Sequence, residues 1–144
     1  MKCVFCEKPE IKERAIMENN LAFAFLTNIP ITPGHILVSP KRCVPIFTDM
    51  TKEEKDAIFE ILEKVRVVLK KVFGAEGFNI AWNEGEVGGQ AVPHFHLHIV
   101  PRKKGDSGIT KYEPREFLYR PGSRSESREE ELQEIASLIK KRLL

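Results

Sequence analysis

The chain has 144 residues, 42% of them hydrophobic and 31% charged, the balance of one ordinary folded domain and not of a disordered chain. Its 23 basic and 21 acidic residues leave a net charge of +2, which makes no case for a nucleic-acid partner held by bulk charge. No apolar run approaches the roughly 20 residues a membrane helix needs, and the opening MKCVFCEKPEIKER lacks the apolar stretch of a signal peptide, so a cytoplasmic protein with no membrane partner is expected.

Cys3-Val-Phe-Cys6 comes first. Two thiolates at that spacing can close on one zinc ion. With Cys43 they make three cysteines, too few for a disulfide scaffold. Glu7 to Arg14 reads as a short helical turn. LAFAFL, residues 21–26, is a short apolar run of the kind found in a buried strand. Residues 27–34 hold two prolines and a glycine and form a turn-rich connection. Residues 35–39 are a second strand, closed by Pro40. Thr51-Lys-Glu-Glu54 matches a capping box, in which a hydroxyl and a carboxylate satisfy the free donors of a helix start. Ile58, Ile61, Leu62, Val65, Val68, Leu69 and Val72 then recur at helical spacing, and Gly74 is a stop signal. Residues 78–82 are a third strand. EGEVGGQ, residues 84–90, is a glycine-rich turn whose backbone can approach a ligand closely. Residues 92–100 are a fourth strand, and 103–126 read as a long irregular loop. Ser127-Arg-Glu-Glu130 is a second capping-box pattern, opening a C-terminal helix through Leu132, Ile135, Ala136 and Ile139. Its last turn holds Lys140, Lys141 and Arg142, where the helix dipole favours cations. Strand–turn–strand order around one long central helix favours an antiparallel α+β domain over a doubly wound parallel sheet. That domain is expected to take in residues 1–144, with 103–144 as a loop-and-helix extension.

The fourth strand carries the chemistry. With a period of two, His94, His96 and His98 point to one face and Phe95, Leu97 and Ile99 to the other. A solvated strand face ordinarily carries Lys, Glu, Thr or Ser; this one takes three of the chain's four histidines. Two histidines two apart on a strand can also ligate one catalytic metal, but no adjacent carboxylate completes such a set. An imidazole near its reference pKa of about 6.5 is a competent nucleophile at neutral pH.

Gly-Gln-Ala-Val-Pro-His-Phe-His-Leu-His-Ile-Val-Pro-Arg, residues 89–102, resembles the signature of the histidine triad (HIT) family, in which three histidines alternate with hydrophobic residues. The Gly-Gln-x-Val lead-in and the Pro101-Arg102 ending resemble its fragile-histidine-triad branch. Pro33-Gly34-His35 before a strand, and Pro40-Lys41-Arg42 after it, are similar to further family elements. The likeness covers about residues 3–102. It implies a five-stranded antiparallel sheet with helices, usually paired as a homodimer. It also implies a nucleotidyl hydrolase that cleaves dinucleoside polyphosphates of the Ap3A or Ap4A type, or related AMP esters and phosphoramidates, through a covalent nucleotidyl-histidine. By position His96 is then the nucleophile, His98 holds the scissile phosphate or the leaving oxygen, and His94 orients its neighbours or binds metal. Charge developing on the phosphoryl oxygens needs pre-placed donors, and the backbone N–H groups of Gly89, Gln90, Ala91 and Val92 are the candidates. Asn83 resembles an amide that contacts phosphate. At the ribose position the family usually carries Asp or Asn; here Thr27 stands there, with Asn28 beside it. Ala91 replaces a residue that in many members carries a hydroxyl. His35 is expected to be a buried structural histidine.

Several relatives, and the related galactose-1-phosphate uridylyltransferases, bind a metal through an N-terminal Cys-x-x-Cys, a residue after the Pro-Lys-x element, and the first histidine of the triad. The likeness therefore implies a structural Zn²⁺ held by Cys3, Cys6, Cys43 and His94, with Cys43 where relatives commonly have histidine. Two other activities stay open. Inorganic phosphate could replace water as acceptor, drawn by Arg102, Lys103 and Lys104, which are equally a solvated charged edge. The chain could also be a nucleotide-binding module without catalysis.

Overall fold

The structure, a computed structural model, describes residues 3–107 and 126–143. Most of the loop expected at 103–126 lies outside the described residues. The long helix forms where local signals converge. In α3, Lys52–Phe73, the Thr51 hydroxyl accepts from the Glu54 N–H and the Glu54 carboxylate accepts from the Thr51 N–H, so the capping box is made in full. Gly74 ends the helix in the left-handed conformation at φ +65°, which costs a glycine nothing. Ile58, Ile61, Val65, Val68 and Leu69 are buried on one side of it.

Five strands form one antiparallel sheet: β1, Ala15–Glu18; β2, Ala22–Leu26; β3, Ile36–Pro40; β4, Gly77–Ala81; and β5, Leu97–Arg102. Their order is β1-β2-β3-β5-β4. Two short helices, α1 (Val4–Glu7) and α2 (Pro9–Glu13), precede them, and α4 (Glu129–Leu143) closes the chain. The helical stretch expected at 7–14 therefore begins at Val4 and is broken at Pro9, which sits in the first turn of α2, where its missing N–H is harmless.

The sheet's two faces carry different cargo. One packs Ala22, Ala24, Leu26, Ile36, Val38, Leu97 and Ile99 against α3 and against Leu132, Ala136 and Ile139 of α4. Each fully buried Ile or Leu in this layer contributes about 1.5–3 kcal/mol. The other face carries Phe25 and Leu37 beneath Phe5 and Ile11 of the short N-terminal helices. His98 pairs with Leu37 in the β3–β5 register, so it belongs to this second face.

The second and third expected strands shift by one residue, to Ile36–Pro40 and Gly77–Ala81, and two further boundaries differ for reasons visible in the chain. The histidine strand starts at Leu97 and not at residue 92. Val92, Pro93 and His94 form a bend, because Pro93 cannot donate to a ladder. The alternation nonetheless carries through the bend: the Phe95 N–H donates to the Val44 carbonyl at 2.7 Å, and its ring enters the α3-side core. The C-terminal helix opens at Glu129, one residue later than a Ser127 cap would place it, since the Ser127 N–H donates to the Asn28 carbonyl.

Candidate active site and metal centre

All three triad histidines are buried, and His96, 8% exposed, lines a cleft of about 360 Å³ together with His98. Hydrogen bonds decide which nitrogen of each ring carries the hydrogen. His94 Nε2 lies 2.7 Å from the Pro40 carbonyl, which can only accept, so the hydrogen is on Nε2 and Nδ1 keeps its lone pair. His96 Nδ1 lies 2.9 Å from the His94 carbonyl, so the lone pair is on Nε2. The fourth histidine completes the set. The Ile31 N–H donates to His35 Nδ1 at 3.0 Å, so His35 carries its hydrogen on Nε2. That nitrogen is 2.9 Å from His98 Nδ1, which must accept, leaving the His98 hydrogen on Nε2. Burial pushes both His94 and His96 below the ordinary histidine range, against the opposing pull of the bonds to the Pro40 and His94 carbonyls. Both rings are neutral at neutral pH.

The cleft is walled by Asn83, Gly89, Ala91 and Val92 from the β4–β5 connection, by Thr27 and Asn28 from the β2–β3 connection, and by the apolar Phe5, Ile11, Phe25 and Leu37. Of the four amides expected to face a ligand, two close the turn itself: the Gly89 N–H donates to Glu86 and the Gln90 N–H to Gly85. The N–H groups of Ala91 and Val92 have no partner among the described residues. Asn83 Nδ2 donates to the Gly89 carbonyl at 3.3 Å. The Gln90 side chain does not line the cleft. Its Nε2 donates to Pro45 and its Oε1 accepts from the Gly85 N–H, pinning the glycine turn in place. Thr27 is buried, and its hydroxyl accepts from the Ile29 N–H at 3.3 Å.

A second constellation sits behind His94. Cys3, Cys6, Cys43 and His94 bring four ligand atoms within 4.8 Å of one another. Cys3 Sγ and Cys6 Sγ lie 3.2 and 3.6 Å from His94 Nδ1, the nitrogen with the lone pair. A tetrahedral zinc ion spaces its ligand atoms about 3.6–3.8 Å apart, so the four donors stand within about 1 Å of that arrangement. The thiols crowd one another electrostatically. Burial raises the Cys43 thiol most, with Cys3 beside it adding to the effect, to about 12; Cys6 is raised for the same reasons. At Cys3 the upward push of burial is outweighed by hydrogen bonds from Cys43 and Cys6, which hold it below the usual range. The geometry and donor set fit a metal ion, and the Pro40 bond to His94 Nε2 is the outer contact that a ligating histidine ordinarily has.

Three contacts around the site escaped the sequence reading. The His35–His98 bond joins residues 63 apart, and the part-buried ion pair of Arg14 with Glu129 joins residues 115 apart; neither separation leaves a local mark. Phe5 packs edge-on against His94 and His96, with ring centroids 5.6 and 5.1 Å away. A larger hollow of about 680 Å³ lies beside α2 and β1, lined by Phe5, Met17, Phe23 and three lysines, with no histidine among the described residues that line it.

Comparison with known proteins agrees with this geometry. A HIT domain matches residues 8–105, and the chain belongs to that family. It is 41% identical over 105 residues to the asymmetrical bis(5'-nucleosyl)-tetraphosphatase of Schizosaccharomyces pombe, covering 73% of this chain and 58% of that one. It is 42% identical over 86 residues to the bis(5'-adenosyl)-triphosphatase of Dictyostelium discoideum, covering 60% and 58%. The chain thus spans under three fifths of the length of both. Among solved structures it is similar to a zinc-bound histidine triad family protein from Mycobacterium smegmatis, at a TM-score of 0.74 and 30% identity over 99% of this chain and 94% of that one.

Proposed function

We propose that the chain is a nucleotidyl hydrolase that cleaves dinucleoside polyphosphates or related AMP esters at the α-phosphorus. The observation that carries this reading is the hydrogen arrangement: His96 keeps a lone pair on Nε2 at the cleft, while His98 keeps an N–H there. His96 Nε2 attacks phosphorus, and the bond from phosphorus to the leaving-group oxygen breaks as the nitrogen–phosphorus bond forms. The His96 Nδ1–H stays on the His94 carbonyl and shares the positive charge that the ring acquires. His98 Nε2–H donates to the phosphoryl or leaving oxygen, and the N–H groups of Ala91 and Val92 meet the developing oxyanion. Water then attacks the same phosphorus and gives up a proton to solvent, the nitrogen–phosphorus bond breaks with its electron pair returning to His96 Nε2, and the nucleoside monophosphate leaves. In this reading Thr27 and Asn28 bind the ribose, and Asn83 and the Gly89–Val92 turn bind phosphate, with Gln90 acting through its pins; the support is that Thr27, Asn28, Asn83, Gly89, Ala91 and Val92 line the cleft.

Zinc is the ion proposed for Cys3, Cys6, Cys43 and His94. Four protein ligands fill a tetrahedron, so its contribution is structural, fixing His94 and, through the His94 carbonyl, the His96 ring. We further propose a homodimer formed through the open edge of β4 and the adjoining face of α3. The support is that Phe59, Val67, Ile80 and Trp82 are large apolar side chains exposed there. Among the described residues no helix is long and apolar enough to cross a membrane.

Hydrolysis is favoured over phosphorolysis by the position of the basic group at the end of β5. Arg102 is held by both Asp106 oxygens and by Asn79, and Lys103 Nζ donates to the Phe73 carbonyl. These residues stand four or more positions along the strand from His98, about 13 Å. Incubation with a dinucleoside polyphosphate and a base quench should reveal an acid-labile AMP adduct on His96. Its absence from an accumulating His98→Ala variant, with no turnover by the native chain, would leave a binding module instead. ADP formed only when phosphate is present would mean phosphorolysis.

A further inference from the structure

The larger hollow beside α2 and β1 stands apart from the phosphoryl chemistry. At about 680 Å³ it exceeds the histidine cleft, at about 360 Å³, and it falls within the range of about 300–1,000 Å³ that small-molecule sites occupy. Its floor is apolar, made by Phe5, Ile11, Ala15, Met17 and Phe23. Its rim is cationic: Lys12 comes from α2, Lys41 follows β3, and Lys140 lies in the last turn of α4. Three ammonium groups from elements far apart in the chain thus converge on one apolar hollow. Glu18 is the one carboxylate among the described residues that line it, and that group is taken by Lys41 at 3.2 Å. Lys12 and Lys140 have no hydrogen bond or ion pair among the described residues. All four residues of β1 line the hollow, and β1 ends the sheet. A register shift between Ala15 and Met17 interrupts the pairing there, and a bulged edge is a poor template for an added strand. A compact molecule suits this place better than an extended peptide.

We infer that the hollow is a second binding site, and that its ligand is a small organic anion, a carboxylate or sulfonate head on an apolar body. The body lies on Ile11, Met17 and Phe23, where leaving water drives binding. The head meets Lys12 and Lys140, the two charges left without a counterion among the described residues. Phe5 and Ile11 line both the hollow and the cleft. The Phe5 and His96 ring centroids are 5.1 Å apart, so an occupant of the hollow sits one aromatic ring away from the proposed nucleophile. The inference does not depend on what the cleft binds.

Two fluorescent probes with one aromatic body test it on the purified full chain: anilinonaphthalene sulfonate, an anion, and phenylnaphthylamine, its uncharged counterpart. The anion should bind about three- to tenfold more tightly, the worth of two partly exposed ion pairs, and high salt should erase most of that difference. In Lys12→Gln/Lys140→Gln, which alters only exposed side chains, the two probes should bind within about twofold of each other. Nuclear magnetic resonance of methyl-labelled methionine reads the location. Met17 lines the hollow, whereas Met50 is buried in the α3-side core. The bound naphthalene ring should shift the Met17 methyl signal, assigned with Met17→Leu, and leave that of Met50 in place. Equal binding of the two probes would overturn the inference, as would a preference for the anion that persists in the double variant; the lysines would then only guard the open edge of β1. An unmoved Met17 signal would overturn it as well, since the anion would then sit elsewhere.

Discussion

Replacing Gly34 by alanine probes the joint between the long helix and the histidine relay. Gly34 has φ +90°, where an L-residue other than glycine is strained by about 1–2 kcal/mol. A Cβ there would stand 2.8 and 2.9 Å from Phe73 Cε2 and Cδ2 and 3.3 Å from Leu69 Cδ2. Overpacking of that degree costs about 1–3 kcal/mol, toward the lower figure if the half-buried Phe73 ring can turn aside. The sum is about 2–5 kcal/mol, a fall in Tm of roughly 6–20 °C for a chain of this size. Thermal and urea unfolding followed by circular dichroism measure it. The two causes separate in a double-mutant cycle with Phe73→Leu, which should recover about 1 kcal/mol of the loss through coupling. A Gly34→Ala protein within about 0.5 kcal/mol of native, below even the backbone strain expected, would refute the argument. Zero coupling would remove the steric half. Because His35 follows Gly34 and donates to His98, turnover should fall as well.

Other expectations follow from the same geometry. His96→Ala should abolish turnover while nucleotide binding stays measurable by calorimetry; undiminished turnover removes His96 from the mechanism. Cys43→Ser should lower both zinc content, read by elemental analysis, and Tm; full zinc occupancy in that variant contradicts the four-ligand site. His35→Leu should cut kcat about 10- to 100-fold, in line with loss of a contact that orients a reacting group, and a kcat equal to native refutes the relay. Glu54 has its carboxyl held below the ordinary carboxylate range, first by hydrogen bonds from Arg42 and then by the Thr51 N–H, against the opposing push of burial. Its folded-state value is depressed, so the stabilisation is present above the usual carboxylate pKa and is lost as pH falls through the lower, folded value. Arg42→Gln should therefore lower Tm at pH 7, with the gap to native closing in acid; a gap that is constant with pH contradicts this.

What was legible in the sequence was local. The helix from Lys52 to Phe73 was readable at both ends because a capping box and a left-handed glycine act within one turn. The triad alternation was readable because Leu97 and Ile99 face the core. Its true strand start was not, since Pro93 bends the chain while the Phe95–Val44 contact preserves the alternation. Strand β1 was missed: AIME buries only Ile16, and a register shift between Ala15 and Met17 breaks its pairing with β2, so no period of two shows. The four metal donors were found through their residue types and a family likeness. The Arg14–Glu129 ion pair was not, because the two residues meet only once the fold has formed.

The bonds that order the four imidazoles have a further consequence. Many catalytic histidines are steered by an aspartate or glutamate, which sets a negative charge behind the ring. For His96, the ring that faces the cleft, the steering group among the described residues is the His94 carbonyl, which carries no formal charge. On the proposed reading an incoming polyphosphate, itself strongly anionic, would meet a peptide dipole behind the attacking ring and, among the described residues, no carboxylate bonded to that ring to repel it.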